Sequence, residues 1–308
     1  MTTSTALLYS TYLIKGKWRE KTLEEKFFKS PNTYIGLVKI KVQDLERSIQ
    51  FYQDVIGFQV FKQTKRKAHL TADGSSVLLT IEQPEFVKPL QTSATGLYHF
   101  ALLVPTRKDL AKILHHLSKI GIRLGSSDHL VSEALYLSDP DGNGIEIYTD
   151  RDSEKWIWNQ TGVKMAVDPI DTNDLLSELE NRDWQGLPSH TKMGHIHLHV
   201  AELQNSQTFY EALGFEVVSR LGNQALFMST GGYHHHLGLN TWKGIHAPSA
   251  PEDSAGLNAF SIIFPNKEKR EIAAHQLDFL DYPVIKEPEF YRTEDPSGNK
   301  VHMLVKET

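Results

Sequence analysis

The sequence predicts an α+β protein assembled from four βαβββ modules. Three observations carry this reading: a long internal duplication, the same order of strand and helix patterns within each unit, and short glycine-marked turns. The duplication is direct. Residues 42–52 (VQDLERSIQFY), followed by Gly57 and Phe58, recur at 200–210 (VAELQNSQTFY), followed by Gly214 and Phe215. Residues 96–100 (GLYHF) recur at 256–260 (GLNAF), and 139–143 (DPDGN) recur at 295–299 (DPSGN). Self-similarity of this kind marks a repeated supersecondary unit.

Each module reads in the same order. Residues 35–42 alternate between apolar and polar, the period-2 pattern of a half-buried strand. Leu45, Ile49 and Tyr52 then share one helical face, and Gly57 supplies the stop. Shorter strands at 68–72 and 76–81 are separated by Asp73 and Gly74, a hairpin signal. The modules run 33–85, 96–150, 193–242 and 256–306, grouped into a first domain 33–150 and a second domain 193–308. Between them, 151–192 is rich in Trp, Asp and Pro and reads as a linker with one short helix at 173–180. Residues 1–32 read as an N-terminal arm packing on the body.

Composition narrows the function. With 308 residues the chain is long enough for two average domains. A composition 40% hydrophobic and 23% charged, with net charge -5, gives no electrostatic case for nucleic acid or an anionic membrane. The expected partner is a small molecule, neutral or weakly charged. The absence of cysteine excludes disulfides, zinc-thiolate sites and thiol nucleophiles. Any metal is then held by His, Asp or Glu, a ligand set suited to Fe(II), Mn(II), Zn(II) or Ni(II). The start lacks a basic signal-peptide region, and the apolar stretch 6–14 is too short to span a bilayer, so the expected location is cytoplasmic.

Four βαβββ modules, with Phe-Tyr and Gly-Phe after the first strand and Asp-Pro-x-Gly-Asn before the last, resemble the vicinal-oxygen-chelate superfamily. That group holds glyoxalase I, bleomycin-resistance proteins and type I extradiol dioxygenases. The resemblance implies curved, partly open barrels of mixed sheet with helices outside. It also implies metal ligands early in a module's first strand and midway along its last. Those positions hold Leu37, His99, His195 and Ala259 in the first strands, with Glu146 and His302 in the last strands of modules two and four. The implied ligand set is His99, His195 and Glu146, the two-imidazole, one-carboxylate arrangement of non-haem Fe(II) oxygenases, with Mn(II) as the other metal considered. Ala259 binds no metal, so the set is complete only where modules two and three pair. That pairing is expected, either within the chain or between subunits of a homo-oligomer.

The stretch from His129 through Leu135, Tyr136, Asp139, Pro140 and Gly142 to Glu146 resembles the extradiol dioxygenase fingerprint, although Ser127 departs from it. By resemblance, Tyr136 hydrogen-bonds the substrate and His129 lines its pocket. In the run 233–242 (YHHHLGLNTW), the family places an acid–base His three residues before a small one, and Gly238 singles out His235. Strand alternation sets His234 and His236 on the opposite face. The fourth module lacks a His129 counterpart and carries His302 where the second has Glu146, so its site is expected to be lost. In the first module Lys39 and Lys41 take the cavity-facing positions. The implied activity resembles that of catechol 2,3-dioxygenases: cleavage of catechol or a substituted catechol with O2 to a 2-hydroxymuconic semialdehyde-type product. Two other branches compete with it, a glyoxalase-type isomerase or thiol transferase and a non-catalytic, bleomycin-resistance-like binding protein.

Overall fold

The computed structural model describes residues 25–305. Residues 1–24 of the expected arm lie outside the described residues, as do 306–308 at the end of the fourth module. Module one comprises β1 (Tyr34–Lys41), α1 (Leu45–Phe51), β2 (Gln59–Thr64), β3 (Lys67–Thr71) and β4 (Val77–Glu82). Asp44 starts α1 by accepting a hydrogen bond from the Arg47 backbone N–H. The helix runs on through a π-helical turn, Tyr52–Ile56, and stops at Gly57.

Module two comprises β5 (Gly96–Leu103), α2 (Arg107–Lys119), β6 (Gly125–Asp128), β7 (Ser132–Ser138) and β8 (Gly144–Asp150). The linker carries a two-stranded ribbon, β9 (Trp158–Asn159) with β10 (Gly162–Val163), and α3 (Thr172–Ser177). The expected helix at 173–180 is therefore shorter and begins one residue earlier, because the Asp171 carboxylate accepts from the N–H groups of Asn173 and Asp174. Asp174 and Glu178 both pair with Arg107, which ties α3 to α2.

Module three comprises β11 (Lys192–His199), α4 (Leu203–Ala212), β12 (Glu216–Leu221), β13 (Ala225–Ser229) and β14 (Leu237–Asn240). Module four comprises β15 (Gly256–Phe264), α5 (Lys267–Phe279), β16 (Ile285–Lys286), β17 (Tyr291–Glu294) and β18 (Lys300–Val305).

The strands form two eight-stranded mixed sheets, in the orders β16-β17-β18-β15-β1-β4-β3-β2 and β12-β13-β14-β11-β5-β8-β7-β6. Each sheet takes one module from each half of the chain. The first strand of a module pairs in parallel with the last strand of the same module, which leaves its other edge open. An antiparallel partner from the other half closes that edge: β1 with β15, and β11 with β5. The boundaries 33–150 and 193–308 thus mark repeats in sequence and not separate sheets. Modules two and three pair within one chain.

The repeated motifs explain what still joins the modules of each half. The Tyr52 hydroxyl, from the first Phe-Tyr pair, donates to Asp139 of the first Asp-Pro turn at 2.9 Å. Tyr210 donates to Asp295 in the same way, also at 2.9 Å. Both tyrosines are fully buried within one hydrophobic core that draws on all four modules. A smaller apolar cluster gathers Phe27 and Phe28 from the arm, Trp156 from the linker, and Tyr148 and Tyr233 from modules two and three. Among the described residues no helix is long and apolar enough to cross a membrane.

Candidate metal centre

Register builds the centre. Across the β11–β5 pair His195 faces Ala101, and across the β5–β8 pair Ala101 faces Glu146. His195, Ala101 and Glu146 therefore stand in a row over three strands, with only a methyl group in the middle. His99 lies two residues from Ala101 on the same face of β5. The outcome is a compact cluster: His99 Nε2 is 2.9 Å and His195 Nε2 is 3.1 Å from Glu146 Oε2. One donor atom from each residue lies within 4.8 Å of the others, and among the described residues no other trio of possible ligands does so.

The cluster fits a divalent cation. All three residues are buried, His195 Nδ1 has no hydrogen-bond partner, and His99 Nε2 has none beyond its contact with Glu146. Burial lowers the His195 imidazole to about 4, so the ring is neutral. For Glu146, burial alone works against ionisation, but the adjoining His195 and His99 rings outweigh it and hold the carboxyl well below its usual value. A buried carboxylate beside a neutral ring is an incompletely compensated charge, which is costly without a counter-ion. Two neutral nitrogens and one carboxylate oxygen suit Fe(II) or another first-row divalent ion.

The β7–β8 hairpin explains the spacing of the fingerprint. The turn at 139–142 sets Tyr136 directly opposite Glu146. Tyr136 keeps its proton, because burial and the Glu146 charge raise it well above the ordinary phenol range. Its oxygen lies 2.6 Å from His129 Nε2, while His129 Nδ1 lies 2.7 Å from the Ala166 carbonyl. A carbonyl only accepts, so Nδ1 carries the proton. Nε2 of the same ring meets the Tyr136 hydroxyl, which also hydrogen-bonds Glu146.

His235 also stands beside this cluster, with its ring centroid 4.1 Å from that of His195. The expected strand alternation across 234–236 is corrected, because β14 begins only at Leu237 and the three histidines occupy the turn before it. All three are buried. His236 Nε2 contacts the Phe27 carbonyl at 3.2 Å. His234 bridges His235 to Asp150: its Nε2 is 2.8 Å from Asp150 Oδ1, and its Nδ1 is 2.8 Å from His235 Nδ1. A carboxylate oxygen accepts and burial lowers His235, which together set the order of donors. His234 donates from Nε2 to the carboxylate, His235 donates from Nδ1 to His234, and His235 Nε2 is left as a base.

Asp150, Tyr148 and Tyr233 were not singled out from sequence. Tyr233 donates to Asp150 at 3.0 Å and shares a 2.7 Å hydrogen bond with Tyr148. The signal that finds two of them is alternation along β8, since Glu146, Tyr148 and Asp150 share a face. The Tyr148 hydroxyl passes over Gly194, where an added Cβ would stand 2.0 Å from it, so only glycine fits there. In the other sheet, the counterpart positions carry Ala259 opposite Lys39, and His302 opposite Arg292. Lys39 Nζ lies 3.4 Å from His302 Nδ1, so a cation stands where a second metal would be. A cleft of about 630 Å³, lined from both sheets, reaches His99 and Tyr136 past Tyr98, His199 and Trp242.

The sequence profile of the Glyoxalase/Bleomycin resistance protein/Dioxygenase superfamily matches residues 34–147. A characterised relative is 46% identical over 279 residues, spanning 89% of this chain and 98% of its own length. The chain belongs to this superfamily. The relative is the catechol-2,3-dioxygenase of Bacillus subtilis (strain 168). Among solved structures, a candidate dioxygenase from Bacillus subtilis strain 168 superposes with a TM-score of 0.62 at 14% identity, covering 89% of this chain and 86% of that one. Glyoxalase I from Zea mays superposes with a TM-score of 0.54 at 16% identity, covering 89% and 92%. At these identities the likeness concerns the fold.

Proposed function

We propose that the chain is an extradiol dioxygenase that opens catechol or a substituted catechol with O2, using Fe(II) held by His99, His195 and Glu146. The observation carrying this reading is that the ligand cluster adjoins the Tyr136–His129 pair, with His99 and Tyr136 both lining one cleft, in a chain 46% identical to a catechol-2,3-dioxygenase. Bound there, Fe(II) supplies open coordination positions for a catecholate and O2 and a path for electrons between them.

The protein's own groups handle protons and orientation. His235 Nε2 takes the proton of a catechol hydroxyl, with its Nδ1–H held by the His234–Asp150 relay. Tyr136, held between His129 and Glu146, keeps a phenol lone pair to accept from the other substrate hydroxyl. Tyr98 and Trp242, in ring contact with each other at 5.1 Å between centroids, form an apolar wall for the aromatic ring. Burial of the ligands keeps bulk water from competing with the substrate.

The test is oxygen uptake with catechol after anaerobic Fe(II) loading, followed by the yellow ring-fission product. Glu146→Ala is expected to abolish turnover and to lower bound iron to background. Full activity or full iron content in that variant would overturn the ligand assignment. Turnover of a glutathione adduct without oxygen consumption would favour the glyoxalase-type branch instead.

A further inference from the structure

His197 is the neighbour of the ligand cluster to which the proposed reaction gives no task. It lies on the same face of β11 as His195 and faces His99 across the strand pair, with ring centroids 5.0 Å apart. Around it stand Tyr98 at 5.0 Å, Trp242 at 5.5 Å and Phe227 at 5.7 Å, all between centroids. The ring is therefore a polar group inside an aromatic box, directly behind Tyr98, His99 and Trp242 of the cleft lining.

Its proton is assigned by three successive contacts. The Trp242 backbone N–H donates to Asn240 Oδ1 at 3.1 Å, which identifies that atom as the oxygen of the amide. The Asn240 amide nitrogen then faces His197 Nε2 at 3.0 Å and donates to it. An imidazole nitrogen that accepts carries no proton, so the ring is neutral and its hydrogen sits on Nδ1. Among the described residues Nδ1 has no hydrogen-bond partner. The seat for this ring is Gly238, where an added Cβ would come within 2.7 Å of His197 Cγ.

We propose that His197 is a specificity-determining residue whose fixed Nδ1–H donates to an oxygen acceptor on a substituent of the substrate ring, so that the preferred substrate is a catechol bearing a carbonyl or carboxylate. This rests on the catechol reading above. A lone donor in an aromatic box discriminates strongly, because an alkyl substituent would leave it unpaired.

The test compares dissociation constants in the anaerobic Fe(II)-loaded protein by calorimetry, with iron content matched between variants. The probes are 3,4-dihydroxybenzaldehyde against 4-methylcatechol, and 2,3-dihydroxybenzaldehyde against 3-methylcatechol. Wild type is expected to prefer the aldehyde of at least one pair by about tenfold. His197→Leu removes that preference, weakening the aldehyde and tightening the methylcatechol, which no longer strands a buried donor. His197→Asn, which keeps a side-chain N–H near the Nδ1 position, retains it, and Gly238→Ala weakens it. No preference in wild type, or an equal loss for both members of a pair in His197→Leu, would overturn the assignment while catechol binding stands. Failure of every catechol to bind would instead remove the dioxygenase reading and this inference with it.

Discussion

Ala101 shows how a metal centre depends on a residue that ligates nothing. Facing His195 on one side and Glu146 on the other, it leaves the gap in which three donor atoms converge. Beside that gap, the Tyr136 hydroxyl contacts His129 at 2.6 Å and also hydrogen-bonds Glu146. Tyr136→Phe keeps the ring and removes the hydroxyl, so iron content should stay at the wild-type level while kcat falls by about a hundredfold. An unchanged kcat would remove Tyr136 from the reaction. The candidate ligands were named in the sequence because the superfamily resemblance implies two ligand positions per module and the repeat locates them, and the Tyr136–Glu146 spacing encodes a hairpin register. The His234–Asp150 contact was not legible from motif reading, since it joins residues 84 positions apart through a turn with no periodic pattern. Asn240 escaped for a related reason, and Gly238 was read only as the marker of His235: their importance lies in the one ring they fix and seat.

At the scale of elements, the two copies of the Phe-Tyr motif do more than pack helix against sheet. Each places a hydroxyl on the aspartate of an Asp-Pro turn in the next module. That aspartate also accepts from the backbone and side-chain amides of the Asn four residues on, Asn143 in one turn and Asn299 in the other. Tyr52→Phe and Tyr210→Phe should each cost about 1–3 kcal/mol, because the buried carboxylate loses one donor and gains no water. Urea denaturation of the two variants checks this, and values within error of wild type for both would refute it. The turn matters to the site as well, since Asp139 anchors the hairpin that carries Tyr136 and Glu146 into register. The module pattern of strand, helix and short strands was readable from periodicity and glycine stops. The ribbon β9–β10 was not, since a two-residue strand leaves no period to detect.

For the whole molecule, pairing of modules two and three followed from one negative observation, that Ala259 cannot bind metal. Periodicity alone gave contiguous halves, because hydrophobic pattern reports which face of a strand is buried and not which strand lies beside it. The resulting interior encloses an unusual number of imidazoles, and acid should expose them. Burial is the leading cause that lowers His199 to about 4 and His236 to about 3. Unfolded histidine titrates near about 6.5, so below that pH the unfolded chain binds more protons than the folded one and stability declines as pH falls. The urea midpoint of the metal-free protein should therefore drop between about pH 6.5 and about pH 4, and His236→Phe should reduce the drop. A flat profile over that interval would refute it. The crosswise sheets also impose an order on synthesis. His99 and Glu146 leave the ribosome well before His195 is made, so the emerging polypeptide holds an incomplete set of ligands. Under the ligand set proposed above, an ion would meet a complete site only once β11 has docked against β5, so metal acquisition would report that both halves have folded together.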